Sequence, residues 1–367
     1  DGADTLYGGG KDAVGRNDRG DRSAGGHARD ADVLLGDNAR ILRLLDSDGG
    51  PLTFSYDSYG DAATERIAVR GFETLAYTPG TGADSDIGAG DEIHGEAGDD
   101  VIHGMTGGDI IYAEGQSDDV YGGVGDDWIS GGPGVDGVLG DDGKILTSRN
   151  GSSEPLYGLD SANGERTVTT NANAFTAVLY PAGDLTKRAD LSPFGAGGDD
   201  LIYGGLGQDF LHGGAGQDGI SGAEALPFAY ATPSDWRPTI GDDGRLETPL
   251  DNFYDANNAL QRIDGFALNF DHTEGETTST DGDPAAGDGA DRIFGDTGYD
   301  WIVGGTGRDH MYAGRGGDIV IADDDLSTNG GRNDAPDGAQ TGQPVRYKYA
   351  DLVYGGAGRD LMTANTS

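Results

Sequence analysis

Residues 86–139 read DIGAGDEIH, GEAGDDVIH, GMTGGDIIY, AEGQSDDVY, GGVGDDWIS and GGPGVDGVL, which are six nonamers in one unbroken phase. Each nonamer has glycines in its first half, Asp at position six and Ile or Val at position eight. The same phase returns at 195–221 and 286–321, and in part at 1–9 and 350–363. Self-similarity at a fixed short period indicates a repeat architecture built from stacked units.

Aspartate occupies position six throughout the repeat. The in-phase residues are Asp4, Asp32, Asp91, Asp100, Asp109, Asp118, Asp127, Asp136, Asp200, Asp209, Asp218, Asp291, Asp300, Asp309, Asp318, Asp351 and Asp360. If two nonamers form one coil, residues 18 apart lie on the same edge, so Asp91, Asp109 and Asp127 form one column. Coils that stack at the usual strand spacing of about 4.8 Å place a carboxylate at every step of such a column.

The glycines and the aspartate together predict a calcium site in each turn. Glycine permits tight turns in which backbone carbonyls converge, and a carboxylate adds a hard anionic oxygen. Six to eight hard oxygens at about 2.3–2.6 Å suit Ca²⁺. We therefore expect multiple calcium ions, bound by the position-six aspartates and by glycine carbonyls. The candidate glycines are Gly98, Gly107, Gly125, Gly207, Gly216, Gly298 and Gly307.

The composition excludes several classes of protein. The 367 residues include 65 acidic and 24 basic side chains, for a net charge of −41, and no cysteine. A chain this negative is a poor partner for nucleic acid or for an anionic membrane. Disulfides are excluded, and no apolar run is long enough to span a bilayer. Without cations, the alternative is a disordered acidic tract, because like charges repel and few aliphatic residues are present to bury.

These nonamers resemble the RTX family, the haemolysin-type calcium-binding repeats, whose unit reads GGxGxDxUx. The likeness is close at 86–139, 195–221 and 286–321 and covers about half of the chain. The resemblance implies a parallel β-roll that folds on calcium after export, usually through a type I secretion channel. It therefore implies a secreted protein, located outside the cell or on its surface.

The predicted fold is all-β: one elongated, parallel β-roll of nonapeptide repeats, interrupted by long insertions that contain β-hairpins. The roll segments are expected at about 1–9, 27–36, 86–143, 195–221, 286–324 and 346–363. The insertions are expected at about 40–85, 144–194, 222–285 and 325–345. Apolar and polar residues alternate at 52–56, 175–180 and 266–270, which predicts hairpin strands there, and 251–263 could form a short helix.

Four similar motifs mark the points where the repeat leaves phase: LLGDNARIL (34–42), VLGDDGKIL (138–146), TIGDDGRLE (239–247) and VIADDDLST (320–328). Their aspartates either extend the calcium site or cap the turn, since Asp commonly accepts backbone hydrogen bonds in turns. These aspartates are Asp37, Asp141, Asp142, Asp242, Asp243, Asp323, Asp324 and Asp325.

The sequence predicts no enzyme, because it contains no HExxH zinc motif, no GxSxG elbow and no P-loop. His94, His103 and His212 fall at position nine and should face outward, as should the nearby tyrosines, which either cover the sheet or stack on sugars. The leading hypothesis is a structural or interaction role in a large extracellular protein. Its candidate partners include neighbouring copies stacked end to end, since the open ends of a parallel roll expose unpaired strand edges. The alternatives are an adhesin or lectin-like module that binds glycans or a cell surface, and an accessory part of a secreted hydrolase.

Overall fold

The structure is a computed structural model. It describes residues 2–10, 15–21, 23, 25–53, 65–148, 186–191, 197–230, 238–241, 246–247, 265–269, 291–305, 309–322 and 351–363. Within these residues, no helix is long and apolar enough to cross a membrane. Two long parallel sheets, named sheet A and sheet B, account for most of the strands, and strands are numbered in chain order below.

In the part of the chain that the structure describes, sheet A contains nine short strands. In spatial order they are β1 (Thr5–Tyr7), β5 (Glu92–His94), β7 (Ile110–Tyr112), β9 (Trp128–Ser130), β13 (Leu201–Tyr203), β15 (Gly219–Ser221), β19 (Trp301–Val303), β22 (Ile319–Ile321) and β25 (Leu361–Thr363). Every neighbouring pair is parallel.

Sheet B is built in the same way. Its path runs β2 (Val33–Leu35), β6 (Val101–Thr106), β8 (Asp119–Val124), β10 (Gly137–Leu139), β14 (Phe210–Ala215), β18 (Arg292–Gly298), β20 (His310–Tyr312) and β23 (Leu352–Tyr354). The short strands β21 (Arg315–Gly316) and β24 (Ala357–Gly358) continue it beside β18. Successive nonamers alternate between the sheets, so two nonamers make one coil, as the 18-residue stacking requires. The all-β parallel roll is therefore confirmed.

The core is a single ladder of position-eight side chains between the sheets. Each strand turns its middle residue inward, because side chains of a strand point alternately to opposite faces. Thirteen of these residues have no exposed surface: Ile93, Ile102, Ile111, Val120, Ile129, Val138, Ile202, Leu211, Ile220, Ile293, Ile302, Met311 and Val320. Leu6, Leu34 and Val353 continue the ladder at its ends, where they are only partly buried.

The insertions leave the roll without breaking its register. Strand β9 pairs directly with β13, with Trp128 opposite Leu201, although 73 residues separate the two. Strand β14 pairs with β18 across the next insertion, with Phe210 opposite Arg292. The roll is therefore continuous in space where the repeat is interrupted in sequence.

The insertions contain antiparallel hairpins, as predicted, although their strands lie at other residues. Of the strand predicted at 52–56, Thr53 forms an isolated antiparallel bridge with Ala68, and 54–56 fall outside the described residues. The pairs are β3 (Ala39–Arg43) with β4 (Arg70–Thr74), β11 (Lys144–Ser148) with β12 (Thr186–Asp190), and β16 (Thr239–Ile240) with β17 (Leu246–Glu247). Among the described residues, the helical segments are α1 (Gly26–Arg29) and a 3₁₀ turn at Pro227–Tyr230. The strand predicted at 266–270 is wrong for 266–269, which carries no strand and packs on sheet A instead. The predictions at 175–180 and 251–263 fall outside the described residues.

Candidate metal centre

The structure brings all seventeen position-six aspartates together in two columns. The backbone N–H of each aspartate donates to Oδ1 of the aspartate in the next coil, over N···O distances from 2.6 to 3.3 Å. The sheet A column runs Asp4, Asp91, Asp109, Asp127, Asp200, Asp218, Asp300, Asp318 and Asp360. The sheet B column runs Asp32, Asp100, Asp118, Asp136, Asp209, Asp291, Asp309 and Asp351.

These columns cross every insertion. Asp127 donates to Asp200 and Asp136 donates to Asp209, each over 73 residues of sequence. Within an uninterrupted block the separation is 18 residues, as between Asp109 and Asp127. One carboxylate oxygen at every step is therefore used to join coils.

The second carboxylate oxygen, Oδ2, has a different environment. It is buried and accepts no hydrogen bond in Asp91, Asp100, Asp109, Asp118, Asp127, Asp136, Asp200, Asp209, Asp218 and Asp300. A buried acceptor without a partner is rare and unfavourable in a native structure. Its recurrence at one atom of one repeat position indicates that a cation belongs beside it.

A backbone carbonyl lies beside the Oδ2 atom in eight of these ten aspartates, at the glycine that follows position nine of a nonamer: Asp91, Asp100, Asp109, Asp127, Asp136, Asp200, Asp209 and Asp300. A Cβ built on Gly295 would lie 2.6 Å from Oδ2 of Asp300 and 2.6 Å from the carbonyl oxygen of Ala313. A Cβ on Gly204 would lie 2.8 Å from Oδ2 of Asp209 and 2.8 Å from the carbonyl oxygen of Gly222. A carboxylate and a carbonyl oxygen thus converge in these eight turns, which is the hard-oxygen donor set that Ca²⁺ prefers.

Burial sets the electrostatics of the columns. Desolvation raises the pKa of Asp91 to about 7 and that of Asp300 to about 8. Burial, reinforced by the neighbouring carboxylate of Asp127, raises the pKa of Asp109 well above its ordinary value of 3.8. The same cause raises the pKa of Asp100, Asp118, Asp127, Asp136, Asp200 and Asp218 in the same direction. At neutral pH these groups need either a proton or a cation.

Calcium fits this arrangement better than a zinc-type ion does. Among the described residues, no group of three or more His, Asp or Glu side chains is close enough to hold one metal ion. Each turn instead offers one carboxylate and backbone carbonyls. Calcium accepts several carbonyl ligands, whereas zinc sites in proteins use nitrogen, sulfur and carboxylate side chains.

The glycines named from the sequence stand at position four of their nonamers. Gly98, Gly107, Gly125 and Gly207 have φ between 123° and 149°, a left-handed conformation that favours glycine. Gly216 and Gly298 occupy the same position, and a Cβ on Gly298 would collide with the carbonyl oxygen of Gly216. These carbonyls are therefore directed along the roll towards the next coil. Gly307 lies outside the described residues.

Sequence reasoning missed the carbonyls at position one, which lie nearest to the Oδ2 atoms. The residue that directly follows position nine is small in every described coil, Gly in most and Ala at Ala113, Ala313 and Ala322, whereas a nonamer that opens a block can begin with a larger residue such as Asp86. The restriction to Gly and Ala is the sequence signal that could have identified them. Its cause is space, because a larger side chain would displace the carboxylate.

The aspartates at the exit motifs act as caps and anchors in the structure. Oδ2 of Asp37 accepts the backbone N–H of Thr106 at 3.0 Å, and Oδ2 of Asp141 accepts that of Ala215 at 2.7 Å. Asp142 accepts the hydroxyl of Tyr77 at 2.7 Å and so holds the first insertion against sheet B. These side chains satisfy backbone groups of the roll where the chain departs from it.

The motif at 239–247 is not an exit from the roll, contrary to the expectation. Thr239–Ile240 and Leu246–Glu247 form a hairpin outside both sheets, because the chain has already left the roll after Gly222. Asp242, Asp243 and Asp323 to Asp325 lie outside the described residues.

Position-nine rings form stacked columns on the outer faces. His94 lies between Tyr7 and Tyr112 at centroid distances of 4.9 and 4.8 Å. On sheet B, Tyr312 stacks on Phe294 at 4.8 Å and on Tyr354 at 4.9 Å. These rings use their faces on each other, which favours the sheet-covering interpretation over sugar stacking.

Comparison with known proteins gives one family match. A family model described as the RTX calcium-binding nonapeptide repeat (4 copies) matches residues 88–120, 114–144, 194–224, 286–320 and 348–366. These ranges contain every position-six aspartate except Asp4 and Asp32. Searches of curated proteins and of solved structures found no match.

Proposed function

Because this chain carries RTX calcium-binding repeats and is a calcium-binding β-roll protein, we propose that calcium folds it outside the cell, where it has a structural or interaction role. The observation that carries the proposal is the repeated, buried and unpartnered Oδ2 beside a carbonyl oxygen. The chain binds calcium through the seventeen position-six aspartates and through turn carbonyls at positions one and four.

Calcium-dependent folding follows from the free energy that is needed to bury the two columns of carboxylates when the roll folds. An ionised carboxylate buried without a partner is strongly unfavourable, and here two columns of them run the length of the roll. The unfolded chain keeps the same carboxylates in water, so a cation that binds only the folded roll shifts the equilibrium towards it. Calcium supplies the opposite charge, while the protein supplies spacing, desolvation and oxygen ligands.

The extracellular location rests on the calcium concentrations of the two compartments. Extracellular calcium modules bind with dissociation constants of about 10⁻⁴–10⁻³ M. A roll of that affinity is unfolded and exportable in a low-calcium cytosol and folded outside. The family's usual secretion and the acidic composition support this location.

The test is circular dichroism during a calcium titration, with chelator reversal and a magnesium control. We expect a cooperative gain of β-structure at micromolar to millimolar calcium, reversed by chelator and absent with magnesium. A spectrum already rich in β-structure in chelator, and unmoved by calcium, would refute calcium-dependent folding.

The proposed role is non-catalytic, and the insertions are the proposed binding surface for a glycan, a cell surface or a neighbouring copy. Deleting 144–194 should leave the calcium transition in place, because β9 pairs directly with β13 and β10 with β14. Loss of cell or glycan binding in that variant would locate the partner site on this insertion. Turnover in a hydrolase screen that survives calcium removal would argue for an enzyme instead.

A further inference from the structure

Position seven of the nonamer is where the roll meets its insertions. Its side chain points away from the core, since position eight points inward. In most of the seventeen nonamers this residue is large, for example Trp128, Leu201 or Phe210. It is glycine at two places, Gly137 in β10 and Gly219 in β15.

These two glycines are not required by the backbone. Neither has a positive φ, so an L-residue could adopt the same conformation. Glycine inside a strand is also less stable than a β-branched residue, because it has no side chain to pack and loses more freedom on folding. A reason other than chain geometry must therefore account for them.

That reason is space for a side chain from an insertion. A Cβ on Gly137 would lie 2.9 Å from Cγ2 of Ile145 and 3.0 Å from Cδ of Lys187. A Cβ on Gly219 would lie 2.7 Å from Cγ of Phe266. Each glycine is thus a notch in the outer face of a sheet, and each notch is filled by a residue from a different insertion.

The hairpin β11–β12 binds the roll at the Gly137 notch through the buried ammonium group of Lys187. The Lys187 side chain has no exposed surface, and its ammonium donates to the carbonyl of Asp118 at 2.9 Å and to Oδ1 of Asp119 at 2.6 Å. The backbone N–H of Ile145 donates to the hydroxyl of Tyr121 at 2.8 Å. All three acceptors belong to the roll.

The second notch receives an aromatic ring on sheet A. Phe266 is 1% exposed and packs edge-on against Trp301, with ring centroids 5.5 Å apart. Next to it, the hydroxyl of Tyr203 donates to the carbonyl of Ala267 at 3.2 Å. The insertion therefore has apolar and polar contacts with β13, β15 and β19.

We infer that Gly137 and Gly219 are docking sites that determine where the second and third insertions bind the roll, and that calcium docks both insertions by forming the strands that carry the notches. The second half of this inference rests on the proposed function, because the acceptors of Lys187 take their positions only when the coils stack. The carbonyl of Asp118 accepts both the ammonium of Lys187 and the backbone N–H of Gly137 in the next coil. Lys187 therefore binds a group whose position is fixed by the stacking of the coils.

The test is hydrogen–deuterium exchange of the full chain, resolved by peptide, in calcium and in chelator. The variants Gly137→Val and Gly219→Val each place at position seven the residue that Val33 and Val101 already provide. In calcium, G137V should speed exchange of β11 and β12 about tenfold or more, because the charge-assisted bonds of Lys187 are lost. Residues 265–269 and the roll strands should stay protected.

The two variants serve as controls for each other. G219V should release 265–269 and leave β11 and β12 protected. Lys187→Met keeps most of the side-chain length and removes the ammonium, so it should release the hairpin without adding bulk to the roll. K187M therefore tests the docking of the hairpin even if G137V fails to fold.

The outcomes separate this inference from the proposed function. Unchanged protection of β11 and β12 in both G137V and K187M would overturn the docking role, as would loss of protection in β8 and β10 in both variants. In wild type, chelator should remove protection from the roll and the hairpin together. If chelator removes protection from the roll but the β11–β12 hairpin stays protected, calcium does not control the docking of that insertion. If neither the roll nor the hairpin loses protection in chelator, the proposed calcium-dependent folding is wrong.

Discussion

Replacing Asp300 by asparagine should change the stability of the roll in opposite directions with and without calcium. Asp300 is fully buried, its Oδ1 accepts the N–H of Asp218 at 3.2 Å, and its Oδ2 lies unpartnered beside the carbonyl of Ala313. Asparagine keeps the oxygen that joins the coils and removes the charge. The substitution therefore isolates the second oxygen.

The magnitude follows from the pKa. Burial raises the pKa of Asp300 to about 8 from an ordinary 3.8, so at pH 7 the group must gain a proton on folding when no cation is present. Each pH unit between 3.8 and 7 costs about 1.4 kcal/mol, or about 4 kcal/mol in all. Asparagine needs no proton, so D300N should stabilise the chelated roll by up to about that amount.

In calcium, the effect of D300N on the stability of the roll has the opposite sign. Removing one partner of a buried charge pair costs about 3–5 kcal/mol, so D300N should raise the calcium concentration at the folding midpoint. Urea unfolding in calcium, followed by circular dichroism, measures the loss. Because the chelated chain is unfolded at pH 7, the gain is measured in chelator as a rise in the pH at which acid first induces β-structure in D300N relative to wild type. The matched control is Asp199→Asn, an exposed residue whose Oδ1 accepts the N–H of Gln217, and it should change little in either condition. Equal destabilisation by D300N in both conditions would refute the reasoning, since it would assign the carboxylate to hydrogen bonding alone.

Three further changes test the fold and its electrostatics. Ile129→Ala should destabilise the calcium-bound roll by about 2–5 kcal/mol in urea unfolding, whereas Met362→Ala, at a side chain 51% exposed, should have a far smaller effect. Gly204→Val places a side chain larger than the Gly or Ala of this position beside Oδ2 of Asp209 and should lower calcium affinity in isothermal titration calorimetry, while Gly71→Val, where a Cβ has its nearest contact at 3.9 Å, should not. In chelator, acid should substitute for calcium: because burial raises the pKa of Asp91 to about 7, its contribution to stability is complete below pH 3.8 and is lost as the pH rises through about 7. A chelated chain whose circular dichroism shows no gain in β-structure between pH 8 and pH 5 would contradict this last prediction.

The periodic part of the molecule could be predicted because one coil repeats the environment of the next. An 18-residue period places Asp109 above Asp127 and Ile111 above Ile129 without any knowledge of distant contacts. The same phase, carried across the interruptions, also places Asp200 after Asp127. Position and side-chain direction therefore follow from the count of residues in each nonamer.

The contacts of the insertions could not be predicted in this way, because each occurs once. Nothing in the phase indicates that Asp142 accepts the hydroxyl of Tyr77, or that Phe266 lies over Gly219. The alternation at 266–270 favoured a strand, but burial against sheet A overrides that local pattern. The glycine at position seven is a signal, although it marks the notch and not the residue that fills it.

The insertions also increase the number of coils that fold and unfold together. A solenoid with contacts only between neighbouring coils opens coil by coil from its ends, since its stability is a sum of nearest-neighbour terms. Here the segment that follows β15 returns along sheet A, where the carbonyl of Ala229 accepts the hydroxyl of Tyr112 on β7 at 2.9 Å. Arg16, which follows β1, donates to the carbonyl of Ala225 in the same segment at 2.7 Å. Coils that are not neighbours in the sheet are therefore tied together, so the span from β7 to β15 should open as one unit, and calcium binding to any of its turns should favour the rest.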